Sequence, residues 1–264
     1  MKNYRSYLLY QMARFGALTV PQILRICEGK CRKSTMYRTL SELVKGDYVY
    51  PILNPASRTR AYYATQEGRE YILGKHEPLT TGVRTRELDH TILCAEILME
   101  LSQYENVTGI STHFEMSADE VKHFCHERIP DGVFRLTQAG QHYELALEVE
   151  STVRNMERIT HVLERYWQTF KFGMPCSGLL VVAMDATIFG MYSKAIQLRP
   201  DEFQARVRLV QGAGLLGIRP EAYGLKVKAL SSCLDLIRTT SMGELSYTPM
   251  KTNVFLSQTS CQTP

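Results

Sequence analysis

The sequence predicts a mixed α/β fold of the α+β kind: helices and a hairpin first, then a mixed sheet flanked by helices. Three observations predict it. Apolar residues recur at helical spacing through the first third of the N-terminal half. Two alternating runs, 48–53 and 60–65, then bracket a turn-rich loop, as the strands of a hairpin do. From residue 88 onward helical and strand-like periods alternate, and SGLLVVAM has the unbroken apolar pattern of a strand covered on both faces. A chain of 264 residues, 44% hydrophobic and 22% charged, has room for two compact domains with ordinary cores. Boundaries are expected at 1–79, 80–240 and 241–264. TTGVRTR reads as the linker, and the Ser/Thr-rich end reads as an irregular tail.

Tyr4, Leu8, Met12 and Phe15 share one helical face, predicting a first helix over 4–15. A second is expected over 20–27, with Pro21 at an early position where its missing N–H costs little. Ser34 reads as the N-cap of a third helix, STMYRTLSELVKG. Met36, Leu40, Leu43 and Val44 form its packing face, and Gly46 ends it. Its other side is expected to present Thr35, Tyr37, Arg38 and Thr39, with Arg32, Lys33 and Ser34 at its start. Such side chains reach phosphates and base edges. The hairpin loop, NPASRTR, carries Arg58 and Arg60, and Thr65 is placed to cap a short helix after it.

Charge separates the same segment from the rest. Residues 1–75 hold thirteen Lys/Arg against five Asp/Glu, a surplus of eight; the remainder holds eighteen against twenty-two. A basic segment beside an acidic one points to a polyanionic partner for the first. The order of three helices, basic-tipped hairpin and helix resembles winged helix-turn-helix domains. That resemblance implies binding to double-stranded DNA, with the third helix in the major groove and the hairpin as the wing. A winged helix used only for protein contacts is the competing reading.

Beyond the linker, a helix is expected over 88–104, with Ile92, Ala95, Glu96 and Met99 marking its turns. Strands follow at 107–116, 128–136 and 142–150, then a helix over 155–172, a strand at 177–184 and another at 223–230. Three carboxylates stand out in this order. Asp131 follows Pro130 on the second strand, and Glu148 and Glu150, two apart in LALEVEST, point to one side of the third. Carboxylates at neighbouring strand ends are what Mg²⁺ requires, and such an ion can activate water against a phosphodiester.

Pro130–Asp131 and the EVE at 148–150 resemble the two acidic motifs of the PD-(D/E)xK, or restriction-endonuclease-like, fold. Joined to an N-terminal winged helix, they resemble the replication-relaxation family of plasmids. This resemblance implies Asp131 and Glu148 as metal ligands and Asp131, Glu148 and Glu150 as the catalytic set, if the site is active. Where active nucleases of the fold usually carry Lys, this chain has Glu150, which removes a cation that helps activate water. Two functions therefore stay open. One is a DNA-binding accessory or regulatory protein of a plasmid or mobile element, in which the nuclease-like domain is a scaffold and a relaxase or replication protein is a partner. The other is a Mg²⁺-dependent endonuclease targeted by its winged helix. Three clustered negative charges without a lysine also require either a metal ion or an Arg or Lys reaching in from elsewhere.

Several classes find no support. No apolar run approaches the ~18 residues of a membrane span. The first residues lack the pattern of a secretory leader, and seven irregularly spaced cysteines suit a reducing cytoplasm better than a disulfide framework. Cys27, Cys31, His123 and His126 lack the paired spacing of a structural zinc site. There is no phosphate-binding GxxxxGKS/T segment. The aromatic-rich face of helix 155–172 is expected to be core or, alternatively, the surface of a homodimer.

Overall fold

The computed structural model describes residues 4–54, 58–74, 83–125, 128–138 and 140–212. The strand expected at 223–230 and the tail expected at 241–264 lie outside the described residues.

Helix α1 (Tyr4–Phe15) buries Leu8, Leu9, Met12 and Phe15, the face its spacing selects. Gly16 then turns the chain at φ +77 into β1 (Ala17–Thr19), a strand too short to show alternation. Thr19 and Gln22 form a reciprocal capping box on α2 (Val20–Ile26). Helix α3 (Lys33–Lys45) starts earlier than expected: its cap residue is Arg32, so Ser34 lies within the first turn and caps nothing. The Met36 N–H already bonds to the Arg32 carbonyl at 3.0 Å, which places the start there. Strands β2 (Val49–Leu53) and β3 (Arg60–Ala64) pair antiparallel as the expected hairpin, and β1 pairs with the free edge of β3. Thr65 caps α4 (Gln66–Leu73), accepting from the Gly68 N–H.

The second sheet has the order β4-β5-β6-β7-β8. Helix α5 (Leu88–Leu101) leads into β4 (Val107–Thr112), β5 (Gly132–Gln138) and β6 (Gln141–Glu150), with β5 antiparallel to both its neighbours. Between β4 and β5 lies α6 (Ala118–Phe124), absent from the sequence reading although Ser117 and Glu120 form its capping box. Helix α7 (Met156–Lys171) crosses to β7 (Cys176–Ala183), parallel to β6. Two further helices, α8 (Ala186–Gln197) and α9 (Asp201–Arg206), cross to β8 (Val207–Gln211), parallel to β7. The architecture is the mixed α+β one the sequence predicts.

Strand alternation divides the sheet between two cores. Leu145, Leu147, Val149, Leu180 and Val182 join one that also holds Leu98 and Leu101 of α5 and Leu8, Met12 and Leu43 of the N-terminal helices. Ala146, Leu179, Val181 and Ala183 face Ile159, Leu163 and Tyr166 of α7 and Ile188 and Tyr192 of α8. The aromatic face of α7 is thus buried within its own chain rather than offered to a second copy.

The N-terminal helices are held to the sheet by polar contacts as well. Buried Arg69 donates to the carbonyls of Ala13 (3.0 Å) and Phe114 (2.7 Å), and Arg14 meets Glu115 at 3.1 Å. Gln22 Nε2 and Arg25 both donate to Glu96 on α5. Gly16 is required at this seam for two reasons, its positive φ and the Phe114 ring, which a Cβ would meet at 2.2 Å.

Candidate functional site

Two regions carry the expected functional residues. The first is α3 with the hairpin. Arg32, Lys33, Ser34, Tyr37 and Arg38 are exposed along α3, Thr35 is half-buried, and Arg58 and Arg60 are exposed on the hairpin. Thr39 is a correction: at 7% exposure it belongs to the packing face with Met36, Leu40 and Leu43, because it lies one turn from both Met36 and Leu43. Tyr37, Ser41 and Lys45 of α3 and Pro51, Leu53, Arg60 and Tyr62 of the hairpin line an open groove of about 620 Å³. Tyr37 is 49% exposed at its edge. Arg58 holds a left-handed backbone at φ 54, an uncommon conformation for a side-chain-bearing residue.

The second region is the carboxylate cluster. Asp131 precedes β5, its N–H bonded to the Leu147 carbonyl at 2.9 Å, while Glu148 and Glu150 lie on the adjacent β6. Both glutamates are 1% exposed. Every carboxylate oxygen of the three has a partner. Asp131 Oδ2 accepts from the Val149 N–H at 2.7 Å, and Oδ1 lies 3.0 Å from His90 Nε2. Glu148 takes a two-pronged contact from Arg128, with Nε at 2.9 Å, and a 2.5 Å bond from the Tyr166 hydroxyl. Glu150 accepts from Arg154 Nε at 2.6 Å and from Tyr192 at 2.8 Å. Of the two ways to neutralise the cluster, the described residues supply the second: arginines reach in.

The region 9–179, which holds both sites, matches a family model described as Replication-relaxation. The chain belongs to the replication-relaxation family. Searches of curated proteins and of solved structures each found no match. Within this family member, no described helix is long and apolar enough to cross a membrane.

The electrostatics of the cluster follow from burial and these contacts. Burial pushes the Glu148 carboxyl up to about 7 against the opposing pull of Arg128. For Arg128, burial disfavours the charge but Glu148 outweighs it and raises the guanidinium further. Burial also works against an ionised Asp131, yet the hydrogen bond and charge of His90 hold it below the usual carboxylate range. His90 is raised in turn: burial would lower it, and the Asp131 contact, with Glu150 and Glu148 nearby, prevails.

The Mg²⁺ that an active site would require does not fit this donor set. A hard cation needs several oxygens free of other cations. Here a guanidinium group is bonded to each glutamate, so a divalent ion held by Glu148 or Glu150 would have to displace or approach fixed positive charge. Sequence reasoning missed Arg128, Tyr166, Tyr192, His90 and Cys94. Two signals were available: Arg128 stands three residues before Asp131, and His90 and Cys94 are spaced i, i+4 on a helix already expected.

Proposed function

We propose that this replication-relaxation protein binds double-stranded DNA, using its N-terminal helices and hairpin as a winged helix-turn-helix domain (1–79). It serves the replication or relaxation of a plasmid or other mobile element. The following domain (80–240), nuclease-like in its motifs, is a scaffold for DNA or for a relaxase or replication protein rather than a cleaving centre. The observation that carries this reading is the groove between α3 and the hairpin, lined by Lys45 and Arg60, on elements that also expose Arg32, Lys33, Arg38 and Arg58. Helix side chains read base edges while hairpin cations fix the backbone. The arginine-neutralised carboxylates support the non-catalytic part.

The test uses the full chain, because the N-terminal helices share a core with the sheet. Titration into labelled duplex at several salt concentrations should give log K falling with log salt by about 0.9 per neutralised phosphate. Failure to bind at low salt removes the DNA-reading role. Supercoiled plasmid incubated with Mg²⁺, Mn²⁺ or EDTA should stay intact. Metal-dependent nicking that Asp131→Ala/Glu148→Ala abolishes would replace the scaffold by an endonuclease.

A further inference from the structure

We propose that His90, Cys94 and Asp131 form a binding site for a divalent transition ion of the zinc class, with its fourth position facing solvent. The site is distinct in chemistry from the Mg²⁺ site the acidic motifs imply, and it stands independently of DNA binding.

The donors converge from two elements. His90 and Cys94 lie one turn apart on α5, and Asp131 enters from the start of β5. Their ligand atoms all fall within 4.8 Å of one another. His90 Nε2 is 3.0 Å from Asp131 Oδ1 and 3.4 Å from Cys94 Sγ. Zinc bonds of about 2.0–2.3 Å in tetrahedral array separate such atoms by roughly 3.3–3.6 Å. The two His90 distances are within tenths of an ångström of that range, and the Cys94–Asp131 separation, within 4.8 Å, has at most about 1 Å to close.

Both contacts fall on the same ring nitrogen, which decides between two readings of a Cys–His–Asp set. A nucleophilic relay uses the two ring nitrogens, one for the thiol and one for the carboxylate. Here one nitrogen faces both, and a single proton or lone pair cannot satisfy two directions at once. An ion placed between the three atoms satisfies all of them. The thiol is also too enclosed for attack, at 4% exposure.

Charge and support agree with this. With Arg128 on Glu148 and Arg154 on Glu150, Asp131 is the carboxylate of the cluster that no arginine among the described residues meets. Its other oxygen is fixed by the Val149 N–H, and His113 Nδ1 lies 3.4 Å from its backbone carbonyl. Such outer contacts orient a ligand. One imidazole, one thiolate and one carboxylate suit zinc, cobalt or nickel, whereas a thiolate discriminates against Mg²⁺. The side chains of His90 and Asp131 are 31% and 18% exposed, leaving a solvent-facing position for water or a ligand group.

Co²⁺ is the probe. The full chain, stripped with EDTA, should bind one equivalent and develop a thiolate-to-cobalt charge-transfer band with the intense visible bands of four-coordinate cobalt. Without the charge-transfer band in the wild type, the site does not exist. Cys94→Ser should abolish that band, and His90→Gln should weaken Co²⁺ binding about tenfold or more. Cys27→Ser/Cys31→Ser should leave the band intact. Its survival in Cys94→Ser, or its loss in the Cys27/Cys31 variant, places the metal elsewhere and overturns the assignment. Should Cys94→Ser fail to fold, His90→Gln and the Cys27/Cys31 variant still decide. Duplex binding, measured on the same samples without metal, should be unchanged by His90→Gln, so the two readings fail separately.

Discussion

In α3 and the hairpin, Arg32, Arg38, Arg58 and Arg60 are exposed, whereas Arg128 and Arg154, in segments flanking β5 and β6, lie on glutamates that are 1% exposed. The side chain is the same and the setting reverses its role. An exposed guanidinium contributes little to stability and keeps its donors available for a phosphate. A guanidinium on a buried carboxylate neutralises a charge the fold has already enclosed, and removing it leaves that charge without compensation. The acidic pattern that resembles a nuclease therefore stands in a setting organised for charge compensation, while the basic pattern of α3 and the hairpin faces solvent.

The largest expected effect tests the buried side. Arg128→Leu should destabilise the chain by about 3–5 kcal/mol at pH 8, read from urea unfolding. A loss below about 1 kcal/mol would mean the Arg128–Glu148 pair is not what holds that carboxylate.

The pH dependence follows from Glu148. Its carboxyl ionises near 4.5 when unfolded and near 7 when folded. Its contribution is fully present below the unfolded value and is lost as pH rises through about 7. Thermal unfolding should therefore show a decline between pH 5 and pH 8 that Glu148→Gln flattens, and an unaltered decline in that variant would assign it to another group.

The seam between the two regions should give an intermediate effect. Arg69→Ala leaves the Ala13 and Phe114 carbonyls without their donor, at a cost of about 1–3 kcal/mol. If it costs nothing measurable, the docking rests on the shared core alone.

The exposed arginines should hardly alter stability, within about 0.5 kcal/mol. Arg58→Gly removes charge while accommodating the left-handed backbone, and it should weaken binding to specific and scrambled duplexes alike. Arg38→Ala should instead reduce selectivity, with a base contact contributing about 1–3 kcal/mol. Selectivity lost through Arg58 rather than Arg38 would exchange the roles of helix and hairpin. Arg25→Ala should also have a small effect on stability, its partly exposed pairs with Glu96 and Glu100 contributing less than about 1 kcal/mol.

What the sequence alone determined about this protein is what near neighbours decide. The spacing of Leu8, Met12 and Phe15 specifies the buried face of α1, Thr65 caps α4, and Val49–Leu53 and Arg60–Ala64 pair as a hairpin. These depend on contacts a few residues apart, so periodicity and turn chemistry suffice. Short elements escaped it: β1 has three residues, α9 six and β8 five, too few to display a period. Thr39 was misplaced because the buried stripe of α3 is wider than its most apolar residues.

Only the tertiary structure decided who meets whom. Arg128 reaches Glu148 across twenty positions, His90 meets Asp131 across forty-one, and Arg25 meets Glu96 across seventy-one. Each pairing depends on strand register and on which sheet face a helix covers. Glu148 and Glu150 do share a side of β6, as their spacing requires, but that side is covered by α7 and α8. Spacing settles which way a carboxylate points; packing settles whether water, a metal ion or an arginine is there to meet it.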